Sequence, residues 1–391
     1  MSLVALTTSA QDVITYTTVN GLISDNVLCL DIDQNDVVWF GTQNGICSFD
    51  GSTWTGYTEA DGLVDDAVYA IMVDSQGHVY SGTDFGFSIF DGSNWTTYTT
   101  DDGLEDNRVK HFFEDSDGLI WIANQDGVST FDGNSFVNYT TDDGLPFGGS
   151  VHVNQDINGD MWLATGLGGC FVFDGTTFTD ITSDEGLLSN QARSISVDAA
   201  GNKWVGTSAG ISVFDAANVH SENHESIIYI PPPDELNPVE DVKVDQYGRV
   251  WAAVWVDYLL TVGGVGYYVN DEWFDILEED GLAGPAVTQM AVDSEGNAWV
   301  STTSGVSKIS NAPVNIESPD SEERIALYPN PTNGLVWLGH PLNGPYQIIS
   351  ADGRMIKQAQ ANHLLSLDFS ALPKGMYLLQ TENNVARVLV K

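Results

Sequence analysis

Between Asp12 and Asn311 the chain reads as short bursts of alternating apolar and polar residues, cut by Gly, Asp and Asn. Alternation with period two marks half-buried β-strands, and the Gly and Asp breaks mark tight turns. The bursts recur around an aromatic anchor at Trp39, Tyr80, Trp121, Trp162, Trp204, Trp251 and Trp299, at spacings of 41, 41, 41, 42, 47 and 48. Six residues before each anchor stands Asp33, Asp74, Asp115, Asp156, Asp198, Asp245 or Asp293. Three before it stands Gly in six units and Asp36 in the first. This D-x-x-G is a hairpin turn: the carboxylate caps its own turn amides and Gly accepts positive φ. The anchor then opens a second strand. A Gly turn leads to a third ending Phe-Asp-Gly (Phe49, Asp50, Gly51 in the first unit), and a fourth, such as Trp95 to Tyr98, runs into Asp-Gly-Leu before the next unit. Four short strands per repeat of this length define a propeller blade.

Residues 12–311 are therefore expected to form a seven-bladed β-propeller in an all-β chain. The seventh unit ends after its third strand, and the chain opens on an orphan fourth strand from Val13 to Thr17. That N-terminal strand should complete the last blade and leave no open edge. Residues 1–11 read as the remnant of a signal peptide or as a leader strand. A polar, Pro-containing linker follows at 312–324. Residues 325–391 carry short alternating segments near Val336, Gln347, Leu364, Met376 and Val385. They are expected to form a small Ig-like β-sandwich of about seven strands.

Two resemblances rest on these motifs. D-x-x-G-x-x-W-x-G-T-x-x-G, with F-D-G and D-G-L, resembles the two-component-regulator propeller repeat of periplasmic sensor ectodomains and secreted proteins. Units 5 and 6 depart from it, through Ile227 to Pro233 and through an insertion from Trp255 to Gly266. The tail resembles the C-terminal sorting domain of type IX secretion cargo. The residues that carry it are Tyr328-Pro-Asn-Pro with Gly334, the turn Ala351 to Arg354, Leu372 to Tyr377 and the basic ending Arg387 to Lys391. This resemblance implies export across the outer membrane of a Gram-negative bacterium, with release or surface attachment.

Charge narrows the partners. The formal net charge is −42, and residues 312–391 hold only 6 of the 13 basic and 7 of the 55 acidic residues. The propeller is thus strongly acidic, which argues against nucleic acid and anionic membranes. No stretch reaches the ~20 apolar residues of a membrane span. Cys29, Cys47 and Cys170 form no CxxC, and they read as small core residues.

Candidate chemistry lies where the repeat varies. Twelve residues before the anchors the inner strands read Val27, Val68, Val109, Ser150, Ala192, Val239 and Val287, a core tier. The next tier reads Leu28, Tyr69, Lys110, Val151, Arg193, Glu240 and Thr288, and the next Cys29, Ala70, His111, His152, Ser194, Asp241 and Gln289. Arg108, Lys110 and Arg193 would form a cationic channel mouth for a carboxylated glycan or a peptide, with Tyr69 stacking on a ring. Trp255 and Tyr258 would extend the platform. The alternative is that these cations neutralise Glu105, Asp106 and Glu114. His111 and His152, with Gln289 or Asp241, are candidate ligands for a divalent metal, which would give a polysaccharide lyase or hydrolase. Satisfied inner-strand histidines are the alternative, and turn capping is preferred over calcium for the seven Asp. The leading expectation is a secreted or surface-displayed, monomeric recognition propeller with a glycan or protein ligand. It has no assigned catalytic residue or cofactor; a structural adhesion protein is the third reading.

Overall fold

The computed structural model describes residues 12–230, 236–256, 262–310, 312, 327–328, 334–350, 354–381 and 385–390. The expected leader 1–11, Tyr258, most of the linker and the Pro-Asn-Pro of the tail motif lie outside them. Chain contacts divide the protein into two units, residues 1–315 and 316–391.

The first unit is all-β. Its described residues form seven four-stranded antiparallel sheets, six of them consecutive in sequence. Sheet 1 comprises Val27–Ile32, Val38–Thr42, Gly45–Phe49 and Trp54–Tyr57. Sheets 2 to 7 begin with Ala70–Val73, Val109–Glu114, His152–Gln155, Ala192–Val197, Val239–Val244 and Val287–Val292. Each first strand neighbours the first strand of the next sheet, and that of sheet 7 neighbours that of sheet 1. The fourth strand of sheet 7 is Asp12–Tyr16, which pairs antiparallel with Gly305–Ser310.

The repeat motif has a local cause visible in every sheet. The Oδ1 atom of each repeat Asp accepts the amides two and four residues on, as Asp33 does from Asn35 at 2.8 Å and Val37 at 2.9 Å. The turn Gly has φ between 76° and 92°, and Asp36 takes its place in sheet 1 at φ 60°. The other oxygen explains the six-residue spacing. The indole Nε1 of Trp121, Trp204, Trp251 and Trp299 donates to Oδ2 of its own Asp at 2.8–3.2 Å. All seven anchors are buried, as are the Asp-Gly-Leu leucines Leu63, Leu104, Leu145 and Leu282. Cys29, Cys47 and Cys170 are free and buried.

In the second unit the described strands are Leu327–Tyr328, Leu335–Ser350, Met355–Asp368, Gly375–Thr381 and Val385–Val390, joined in one sheet. The two long strands pair through register shifts between Trp337 and Gly344. Val336, Tyr346, Ile348, Leu367, Phe369, Leu379 and Val388 share one core. The Tyr377 hydroxyl donates to the Pro373 carbonyl at 2.8 Å, which ties the Leu372-to-Tyr377 motif into a turn.

Candidate functional site: the channel mouth and chamber

The first strand of every sheet is an edge strand, so one row of its backbone groups lacks ladder partners. Polar side chains of the preceding sheet supply them. Gln289 Oε1 accepts from Leu30 N at 3.0 Å, Asp31 Oδ2 from Val73 N at 2.7 Å, and His111 Nδ1 from Val153 N at 3.4 Å. Asn154 Nδ2 donates to Ile195 O at 3.0 Å, Ser196 Oγ accepts from Val244 N at 3.0 Å, and Asp241 Oδ2 from Met290 N at 2.9 Å. The seam between sheets 2 and 3 instead packs Tyr80 and Phe87 against Phe112. Much of the variable polarity on the inner strands therefore joins one sheet to the next.

The mouth residues are placed by bulges. In five sheets the ladder skips one residue near the start of the inner strand: Leu28, Lys110, Arg193, Glu240 and Thr288. A bulged residue leaves the pleat and is re-aimed, here along the seam. Lys110 Nζ lies 5.6 Å from the Tyr69 ring centre and 3.5 Å from Asp84. Arg193 pairs with Glu240. Arg108 grips Asp106 through Nε and Nη2, both at 3.1 Å, and reaches Asp126 at 3.8 Å. The Arg108 charge holds the Asp106 carboxyl below its ordinary value. All three cations thus have acidic partners. Of the acids expected to neutralise them, Asp106 does so, whereas Glu114 accepts from Ser75. Trp255 ends its strand half-buried, its Nε1 without a partner, and its backbone amide donates to Pro238 at 3.1 Å.

Further along the inner strands lies a chamber of about 470 Å³. His111, His152, Asp31, Asn154, Lys243 and Gln289 contribute to its polar lining, along with Glu114, Asp245 and Gln246, with Met72 and Phe113 beside them. The imidazoles of His111 and His152 stack with ring centres 3.8 Å apart and planes at 26°. Burial pushes the His111 pKa down to about 3 and that of His152 well below its ordinary value, with Lys243 adding to both. Both rings are neutral at physiological pH. Because Val153 donates to His111 Nδ1, the His111 proton resides on Nε2. His152 is 5% exposed and neither of its ring nitrogens has a partner. Lys243 Nζ lies 3.4 Å from Asp241 Oδ1. Burial raises the Asp31 and Asp241 carboxyls, a rise Lys243 opposes.

The expected metal ligands divide. His111 and His152 come together, but Gln289 spends its carbonyl oxygen on the seam between sheets 7 and 1. Imidazole lone pairs lie in the ring plane, so stacked rings aim them side by side and not at one ion about 2 Å from each. Among the described residues no group of three or more His, Cys, Asp and Glu is arranged to hold a metal. Asp31, Asn154 and Lys243, missed in the sequence, form a tier eight residues before the anchors. It was legible by the same counting carried two residues further.

With this geometry the chain has a propeller-type all-β fold. Residues 326–391 match the secretion system C-terminal sorting domain, and residues 103–126 match the two component regulator propeller repeat. The protein thus carries both modules, and the first marks it for secretion. No curated protein matches the sequence. Among the solved structures that share the fold, three are similar over most of this chain. The extracellular domain of the hybrid two component system BT3049 from B. thetaiotaomicron has a TM-score of 0.63 at 17% identity, over 96% of this chain and 53% of its own. PorZ, a surface component of the type-IX secretion system of Porphyromonas gingivalis, has 0.60 at 15%, over 97% and 60%. Virginiamycin B lyase from Staphylococcus aureus has 0.59 at 14%, over 76% and 98%. The chain spans little more than half the length of the first two. Among the described residues no helix is long and apolar enough to cross a membrane.

Proposed function

We propose that the protein is a secreted or surface-displayed recognition propeller, a seven-bladed ring closed by its N-terminal strand, that binds a glycan or protein ligand at its channel mouth. In this reading residues 325–391 are a small Ig-like domain, following a linker at 312–324, that addresses the chain to the type IX machinery of a Gram-negative bacterium. The carrying observation is the rim cluster of Tyr69, Lys110 and Asp84, with Arg108 between Asp106 and Asp126. It breaks the repeat, presents an aromatic face beside fixed donors and acceptors, and is exposed to solvent at Arg108. Acid-paired cations present hydrogen bonds more than free charge, which favours hydroxyl-rich or mixed-charge ligands over plain acids. Arg193, Trp255 and Tyr258 are proposed to extend this platform. The test is a glycan array and a surface-protein pull-down with the full chain, with and without EDTA. Binding should be weakened at least tenfold in Arg108→Ala or Lys110→Ala, about the worth of one charge-assisted hydrogen bond. Binding indifferent to both variants would overturn the mouth site in favour of adhesion through the acidic face.

A second reading, an extracellular lyase or hydrolase, is favoured by one observation: two neutral imidazoles share the chamber. A neutral imidazole is a competent general base. Turnover on a polysaccharide panel that is lost in both His111→Gln and His152→Gln would establish it.

A further inference from the structure

We propose that the channel chamber is a second binding site, distinct from the mouth, that takes a neutral polyhydroxylated molecule the size of a sugar unit. The chamber's shape and its hydrogen-bonding inventory carry the inference. It is an open-mouthed cavity of about 470 Å³ beside His152, a side chain 95% buried with both ring nitrogens unpartnered. A buried polar atom left unpaired costs about 1–3 kcal/mol, and such atoms are ordinarily met by protein, water or ligand. Lys243 lines the chamber as well, its ammonium 3.4 Å from Asp241 Oδ1. His111 adds an Nε2–H donor, fixed in that tautomer by Val153.

The ligand class follows from charge. Lys243 and Asp31 line the chamber together with Glu114 and Asp245, which are held by Ser75 and Arg249, so both signs are already present in the chamber wall. An anion entering meets the carboxylates, and a cation meets the ammonium. The imidazoles add no charge. What the chamber offers without opposition is closely spaced donors and acceptors. It also offers the half-buried Phe113 and the apolar Met72, against which the C–H face of a sugar ring can pack. A metal ion does not fit the stacked imidazoles, whose lone pairs run side by side.

The test uses the full chain and a panel of neutral monosaccharides and disaccharides, with glucuronate and glucosamine as charged counterparts. Neutral members should raise the melting temperature and perturb the imidazole resonances of His111 and His152 in NMR spectra. His152→Phe keeps the stack and the volume but removes both nitrogens, and it should weaken binding about tenfold or more. If that variant fails to fold, the imidazole resonances of the native protein still decide. Neutral sugars that leave both resonances and melting unmoved would overturn the proposal. So would charged counterparts that bind equally well, or undiminished binding in a folded His152→Phe. Failure at the mouth is read separately, through Arg108→Ala.

Discussion

Asp245 and Arg249 show what a single repeat position does when a charge is added to it. Every repeat Asp caps a turn, but Asp245 also receives the Trp251 indole and the Arg249 Nε at 2.5 Å. The guanidinium is 2% exposed and gives its remaining donors to the carbonyls of Ala312 and Gly296, both at 2.6 Å. Asp245→Ala strands this buried cation, a loss of about 3–5 kcal/mol. Asp115→Ala removes a cap and an indole partner without stranding a charge, about 1–3 kcal/mol. Chemical denaturation should rank them in that order, and equal losses would show that Arg249 contributes nothing through its partner. The imidazole pair gives a second expectation, in pH. Both histidines have folded pKa values below the ordinary 6.5, so the unfolded chain takes up their protons first. The penalty is absent above about pH 6.5 and grows as pH falls, by up to about 1.4 kcal/mol per unit for each ring. Asp31 and Asp241, raised by burial, act oppositely, because the fold protonates them first. The native protein should therefore lose more stability than His152→Phe between pH 7 and 5, as melting curves will report. The capping Asp and its Gly were readable from residue types, because their chemistry is local. The partners of Arg108, Lys110 and Arg193 were only half readable: Asp106 lies two residues from Arg108, whereas Asp84 and Glu240 reach in from neighbouring sheets.

At the scale of the element, the strand Asp12–Tyr16 carries a burden out of proportion to its five residues. It covers the edge of Gly305–Ser310, with Tyr16 opposite Val306. Tyr16 also stacks on Trp299 at 5.6 Å and meets Phe49 at 5.3 Å and Trp54 at 5.8 Å, which joins sheet 7 to sheet 1. Tyr16→Ala is expected to cost about 2–4 kcal/mol, since the ring is only partly buried. Deleting residues 12–16 should do more, by exposing a β-edge able to pair with other chains. Light scattering would then show association that the native chain lacks, and a monomeric, native-like deletion would refute this role. The closing strand was legible because an orphan fourth strand and a three-stranded last unit imply each other. The bulges were not, because counting from an anchor assumes an unbroken period of two and a skipped residue changes which way every earlier one faces. In the C-terminal unit short strands were expected, and Leu335–Ser350 and Met355–Asp368 are long. Register shifts let the ladder run on through Leu342 and Gly344.

The whole molecule carries its charge unequally, and that asymmetry makes an expectation about the chain as a two-unit object. Nearly all of the −42 resides before residue 312, since the tail holds 6 basic against 7 acidic residues. The buried cations Lys203 and Arg249 are held by local carbonyls and carboxylates and are already counted in that net charge. Like charges crowded on a compact body repel more than on an extended chain, and salt screens that repulsion with a Debye length that falls from about 30 Å at 0.01 M to about 10 Å at 0.1 M. The first unit should melt higher as sodium chloride rises through that range. The second, close to neutral, should be nearly indifferent. Calorimetry of the full chain is expected to show two transitions whose separation changes with salt, the one that moves belonging to the propeller. Assignment follows from Tyr16→Ala, which should lower only that transition. Two transitions that shift together would mean that the excess acid is neutralised within the fold or by bound cations, and that the acidic surface is not available to set which partners approach the mouth.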